Sequence, residues 1–156
     1  MKDFDITKIG RPEQWLIDAA ADIGLNFSGL TNEVSNSFIT HVFKQHGNEK
    51  SERARGQIAV TQADIAQIPG IVKNPDYAVI GIRRSGEIIN AYAKRHKDGT
   101  TIYYEEMLIG RKNRALRSKT MFIKTGILSI DTFLKILSNN VRSDLSGAKI
   151  VVGAGS

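Results

Sequence analysis

Tyr77-Ala78-Val79-Ile80-Gly81-Ile82-Arg83-Arg84-Ser85-Gly86-Glu87-Ile88-Ile89-Asn90-Ala91-Tyr92-Ala93-Lys94 is the stretch whose reading decides the fold. Branched and aromatic residues alternate along it, as strand residues do, and Ser85-Gly86 suits the tight turn of a hairpin. The texture continues downstream. Lys97-Asp98-Gly99 turns the chain into a third strand over 101–108, and a basic loop from Arg111 to Arg117 leads to a fourth over about 119–125. Short connections between such segments make sequential neighbours antiparallel, so the expectation is a four-stranded antiparallel meander.

Upstream of the turn signal Asn74-Pro75-Asp76 the apolar period lengthens to that of helices. Pro12 suits a first helical turn, and Trp15, Leu16, Ala19, Ala20 and Ile23 share one face until Gly24. A second helix is expected from Thr31 to His46, with Val34, Phe38, Ile39, Val42 and Phe43 on its apolar side and Gly47 as its stop. Asn48 to Gly56 reads as a loop of mixed charge. Thr61 and Asp64 form a capping-box pattern that opens a short helix ending at Pro69-Gly70, with Ile65 and Ile68 turned inward. After the strands, Ile130, Phe133, Leu134 and Leu137 define a last helix, and the tail from Val152 to Ser156 is expected to fray. The fold class is therefore α+β: N-terminal helices, a four-stranded antiparallel meander, and a C-terminal helix.

The 156 residues, 41% of them hydrophobic and 24% charged, suffice for one core. Lys and Arg outnumber Asp and Glu by 22 to 16, a net charge of +6 that favours an anionic partner. The excess is local: residues 1–82 carry −2, residues 83–124 carry +7 and residues 125–156 carry +1. A solvated basic face is the plain alternative. With no cysteine, a disulfide scaffold, a thiolate metal cage and a cysteine nucleophile are excluded. No apolar run is long enough to span a bilayer, so no membrane partner is expected. No apolar h-region follows the N-terminus, so a cytoplasmic location is expected; an effector or toxin exported by a dedicated machine would have the same sequence character.

The sequence has no Gly-rich phosphate loop, no His-Glu-x-x-His pair and no Gly-x-Ser-x-Gly elbow. Histidine and lysine remain. His41 and His46 flank the apolar side of the second helix and are expected to face inward or into a cleft, where histidine, which titrates near neutrality, can move protons. As structural residues, His46 would complement the helix dipole and His41 would be a hydrogen-bonded core-edge histidine. His96, between Arg95 and Lys97, reads as solvated. Arg53 and Arg55, just before Gly56, could meet phosphate or line an ordinary loop. In the fourth strand, alternation puts Lys119, Met121 and Ile123 on one face and Thr120, Phe122 and Lys124 on the other. Tyr103 and Glu105 share a face opposite Tyr104 and Glu106. Aromatics among lysines suit stacking on unpaired bases, and equally suit edge packing.

The ordered set His41-x4-His46-Gly47, Arg55-Gly56-Gln57-Ile58, Asp64-Ile65, Ile68-Pro69, Asn74-Pro75-Asp76 and Lys119-Thr120-Met121-Phe122 resembles the phage-associated branch of the barnase/EndoU/colicin/RelE-like nuclease superfamily. The resemblance spans about residues 35–124. It implies an RNase-like α+β domain over 31–126, with a helical extension at 1–30 and a C-terminal helix and tail at 127–156. It also implies cleavage of RNA without a metal or other cofactor, by attack of a ribose 2′-hydroxyl on its own phosphate. Carried over by position, His41 and His46 become the acid and base, and Lys119, Thr120 and Lys124 steady the phosphate. Arg53, Arg55 and Tyr103 become substrate contacts. The implied partners are RNA, with tRNA among the candidates, and an acidic immunity protein or antitoxin. Two other classes fit the charge: a non-catalytic RNA-binding or protein-interaction module of the same fold, and a structural protein of a phage particle.

Overall fold

A computed structural model describes residues 6–110, 114–126 and 128–153. In chain order these form β1 (Ile6–Gly10), α1 (Gln14–Ala21), β2 (Thr31–Ser35), α2 (Asn36–His46), α3 (Glu49–Ala54), β3 (Gln57–Ile58), α4 (Gln62–Ile65) and α5 (Ile68–Lys73). Then come β4 (Tyr77–Arg84), β5 (Glu87–Arg95), β6 (Thr100–Ile109), β7 (Ala115–Thr125), α6 (Ile130–Ser138), β8 (Ser143–Asp144) and β9 (Lys149–Val152).

The class is α+β, but the four-stranded meander and the helix order expected from the sequence give way to one mixed sheet of nine strands. Its order is β1-β2-β7-β6-β5-β4-β8, with β3 also paired to β7 and β9 to β4. β2 runs parallel to β7, and the other pairings are antiparallel.

The difference arises at element boundaries. Thr31–Ser35, expected as helix, is a strand, because Ser35 is the N-cap: its Oγ accepts the Phe38 N–H at 3.1 Å, so the helix begins only at Asn36. Residues 48–56, expected as a loop, contain α3, capped by Asn48 Oδ1 accepting from Ser51 N–H at 3.0 Å. The Thr61–Asp64 capping box forms, but the helix it opens ends at Ile65. α5 then starts anew at Ile68 with Pro69 in its first turn, the position where a proline lacking an N–H costs least. Val152, expected to fray, is paired with Tyr77 in the sheet. Residues 111–113 of the expected basic loop and 154–156 of the tail lie outside the described residues.

The sheet has two covered faces. On one, Ile80, Tyr92, Ile102, Tyr104 and Met121 pack under Leu16, Phe38, Val42, Ile68 and Ile71 from the helices that precede β4. Phe38 meets Tyr104 edge-on with centroids 6.0 Å apart, a contact whose removal by truncation to alanine costs about 3–5 kcal/mol in a packed core. On the other face, Val79, Ile89, Ala91 and Tyr103 are covered by Phe133 and Leu137 of α6. That helix is nine residues long, too short to cover the whole face.

Two irregularities shape the open part. Gly81 sits at a register shift in β4 with φ +83°, its N–H donated to Asn90 Oδ1 at 3.2 Å, and a Cβ there would lie 2.3 Å from Ile23 Cδ1. A second shift lies between Glu105 and Glu106, which pair with Thr120 and Ser118 and leave Lys119 as the extra residue. Beneath it, the fully buried Glu106 accepts from Asn32 Nδ2 and Asn90 Nδ2, both at 3.0 Å, and from the Tyr92 hydroxyl, tying β2, β5 and β6 together.

Candidate active site

On the α6 side of the sheet, a cleft of about 300 Å³ is lined by His46, Arg84, Glu105, Thr120, Tyr103 and Phe122, with Gln57 on its wall. Two strand pairings bring these together: β6 with β7 sets Glu105 opposite Thr120 and Tyr103 opposite Phe122, while β3 with β7 sets Gln57 opposite Lys124. Tyr103 and Phe122 stack on each other with centroids 5.0 Å apart at the cleft wall, and burial pushes the Tyr103 phenol above its usual range.

His46 is the last residue of α2, whose buried Phe38 and Val42 fix the helix against the sheet. Its ring lies 6.0 Å from that of Phe122, and Nδ1 is 3.1 Å from Oε2 of Glu52, a fully buried side chain of α3. The other carboxylate oxygen meets Arg55 Nη1 at 2.9 Å, and the same Nη1 donates to the Gln45 carbonyl at 3.0 Å. With Nδ1 3.1 Å from a carboxylate, the neutral imidazole carries its proton there and Nε2 is the nitrogen left as an acceptor.

Arg84 and Glu105 form a bidentate pair, Nη1 to Oε1 at 2.7 Å and Nη2 to Oε2 at 3.0 Å, with both side chains about nine-tenths buried. Arg84 Nε donates to Ser143 Oγ at 2.7 Å, which leaves N–H groups on both Nη atoms for an anion. The extra residue in β7 alters the alternation expected there. Lys119, assigned by period two to the face away from Thr120, instead reaches Glu87 Oε1 at 2.9 Å, on the strand face that carries Ile89 and Ala91. Gln57 lines the cleft wall, and its Oε1 is buried with no hydrogen-bond partner among the described residues.

A model of the phage-Barnase-EndoU-ColicinE5/D-RelE like nuclease3 family matches residues 11–129. The chain belongs to this nuclease family. No curated protein and no solved structure matches it. Membership makes nucleic acid the substrate class of this phage-type nuclease, and the matched region contains every cleft residue named above.

Of the sequence-derived candidates in this nuclease, the cleft holds His46, Thr120 and Tyr103. Arg55 and Lys124 line an adjoining groove of about 420 Å³ that shares Tyr103 with the cleft. His41, expected to face inward or into a cleft, is exposed. It stands five positions before His46, about 140° around a helix, so the two stand at opposite edges of the apolar stripe. Arg53 is exposed and paired with Glu49 at 2.9 Å, one turn back on α3 and outside both hollows. Lys119 is held by Glu87. His96, expected to be solvated, is partly buried in the turn between β5 and β6, with Nε2 enclosed and unpartnered among the described residues.

Arg84, Glu105 and Gln57 in the cleft, and Glu52 behind His46, are the residues of the site to which the sequence reading gave no role. The face of Glu105 was legible from its alternation with Tyr103. The others depend on the shift at Gly81, the unforeseen α3 and the two-residue strand β3. Among the described residues, no three His, Asp or Glu side chains lie close enough together to share a metal ion. What the cleft gathers is an imidazole, a carboxylate with its guanidinium, a hydroxyl and a stacked aromatic pair.

Proposed function

We propose that this chain is an endoribonuclease that needs no metal and cuts RNA by intramolecular transfer, leaving a 2′,3′-cyclic phosphate and a free 5′-hydroxyl. The ribose 2′-oxygen bonds to phosphorus, the bond from phosphorus to the 5′-oxygen breaks, and one proton leaves the nucleophile as one reaches the leaving group. Two proton-transfer groups on opposite sides of a phosphate are required, with donors for the charge that builds on its oxygens.

The observation that carries this reading is the meeting of His46 and Glu105 in one cleft with Arg84 and Thr120. In this proposal the second proton-transfer group, sought by sequence in His41, is Glu105. His46 works through Nε2, with Nδ1 oriented by Glu52, and Arg84 and Thr120 donate to the phosphate. The half-buried Phe122, stacked on Tyr103, borders the path of a base next to His46.

Incubation of the protein with total RNA in excess EDTA, followed by end-group analysis, tests it. Cyclic-phosphate ends from the native chain, absent with a folded His46→Ala variant, are the expected result. Intact RNA throughout, or cleavage that stops in EDTA, overturns it.

A further inference from the structure

The groove beside the cleft has a wall that the family match does not reach. It lies between the ends of β6 and β7 and the helix α6, and its lining includes three cations, Arg55, Lys124 and Lys135, with no Asp or Glu. Thr101, Thr125 and Thr132 and the amide of Asn139 add uncharged polar groups to the lining. Arg55 is partly engaged by Glu52, whereas Lys124 and Lys135 form no ion pair with a described carboxylate. Lys135 stands on α6, beyond residue 129 where the family match ends. Cleft and groove share Tyr103 and Ile136 as common wall, so a strand leaving the cleft enters the groove directly.

We propose that this groove is a second phosphate subsite, and that α6 supplies it: Lys135, with Lys124 and Arg55, holds the phosphodiester next to the one that is cut. The inference rests on the RNA-cleaving assignment of the cleft and adds to it a preference for substrates that carry at least one phosphate beyond the scissile one. Three cations with threonine hydroxyls and an amide among them suit a phosphate, and the absence of a lining carboxylate means that no acidic side chain of the groove repels it. A cationic ligand would meet three like charges there.

The test is equilibrium binding of 2′-deoxy oligonucleotides, which lack the attacking hydroxyl and stay intact, by the wild-type protein and by Lys135→Ala, Lys135→Arg and Lys8→Ala. A dinucleotide with one internal phosphate is compared with the same dinucleotide carrying a second phosphate, across a salt series. Lys8, exposed on β1, controls for loss of one charge at a distance. The expected result is that the added phosphate tightens binding several-fold in wild type and in Lys8→Ala, that Lys135→Ala loses that gain, and that Lys135→Arg restores it. The salt dependence of the gain from the added phosphate should be lost in Lys135→Ala. Equal gains in Lys135→Ala and Lys8→Ala overturn the subsite. Because no cleavage is read, the pattern can hold even if the nuclease assignment fails, and RNA cleavage indifferent to Lys135 would leave that assignment standing without the subsite.

Discussion

The carboxylate of Glu52, sealed from solvent on α3, lies 3.1 Å from Nδ1 of His46 and 2.9 Å from Nη1 of Arg55, so one buried acid orients an imidazole at the cleft and a guanidinium at the groove. An imidazole that must accept or donate a proton through Nε2 gains from having its tautomer fixed at Nδ1. Glu52→Gln keeps the volume and weakens that control. Its expected effect is a fall in kcat of about tenfold or more with KM little changed, against a loss of about 10²–10⁴-fold for His46→Ala. Steady-state kinetics on a fluorogenic oligoribonucleotide check both, and a Glu52→Gln variant with unaltered kcat removes the orienting role.

Arg84 and Glu105 depend on each other for stability as well as for the chemistry proposed for them. Both are about nine-tenths buried, and deleting one strands the other's charge away from water. Arg84→Ala should therefore cost about 3–5 kcal/mol in urea unfolding. Glu105→Gln retains an acceptor for the guanidinium and should cost less stability while lowering kcat by about 10²-fold or more. Equal stability losses with full activity in Glu105→Gln would place the pair in the scaffold alone.

What the sequence made legible follows local physics, and what it hid follows long-range pairing. The turn Ser85-Gly86, with φ of 51° and 82°, and the extended segments on either side of it are written in residue type. So is the placing of Thr120, Phe122 and Lys124 toward one side. The parallel pairing of Thr31–Ser35 with β7 is not, since five residues preceding an apolar helix share its periodicity and only the Ser35 cap separates them. Arg84 and Lys119 lie beside register shifts, where counting by two fails, and Glu52 belongs to a helix whose mixed charge looks like a loop. Each hidden feature bears on the site: β2 and β3 flank β7, and α3 supports His46.

Glu106 provides a pH test of the fold that is separate from catalysis. Burial pushes its carboxyl up from 4.5 to about 6, outweighing the hydrogen bonds from Asn90, Tyr92 and Asn32 that favour the charged form. The folded protein thus binds this proton more tightly than the unfolded chain. Its contribution to stability is fully present below about pH 4.5 and is lost as pH rises through about 6, a change of about 2 kcal/mol. Urea unfolding at a series of pH values should show the wild-type advantage over Glu106→Gln shrinking across that window. Parallel stability profiles would mean that the carboxyl titrates alike in both states.

Gln57 offers the cleft an acceptor that no described protein group fills. A buried carbonyl oxygen without a donor is costly unless a ligand or a water supplies one, and its position opposite Lys124 on β7 places it where a strand would pass from cleft to groove. A ribose hydroxyl or a base N–H is the matching donor. Gln57→Leu removes the open acceptor together with its desolvation cost, so stability should hold or rise slightly, whereas kcat/KM on RNA should fall by about tenfold, the worth of about 1.4 kcal/mol. Gln57→Glu keeps an acceptor but adds a charge beside the phosphate path, and should lose more than Gln57→Leu does, with the gap narrowing as salt is raised. If both variants cleave like the wild type, the oxygen is satisfied by water and substrate passes it by.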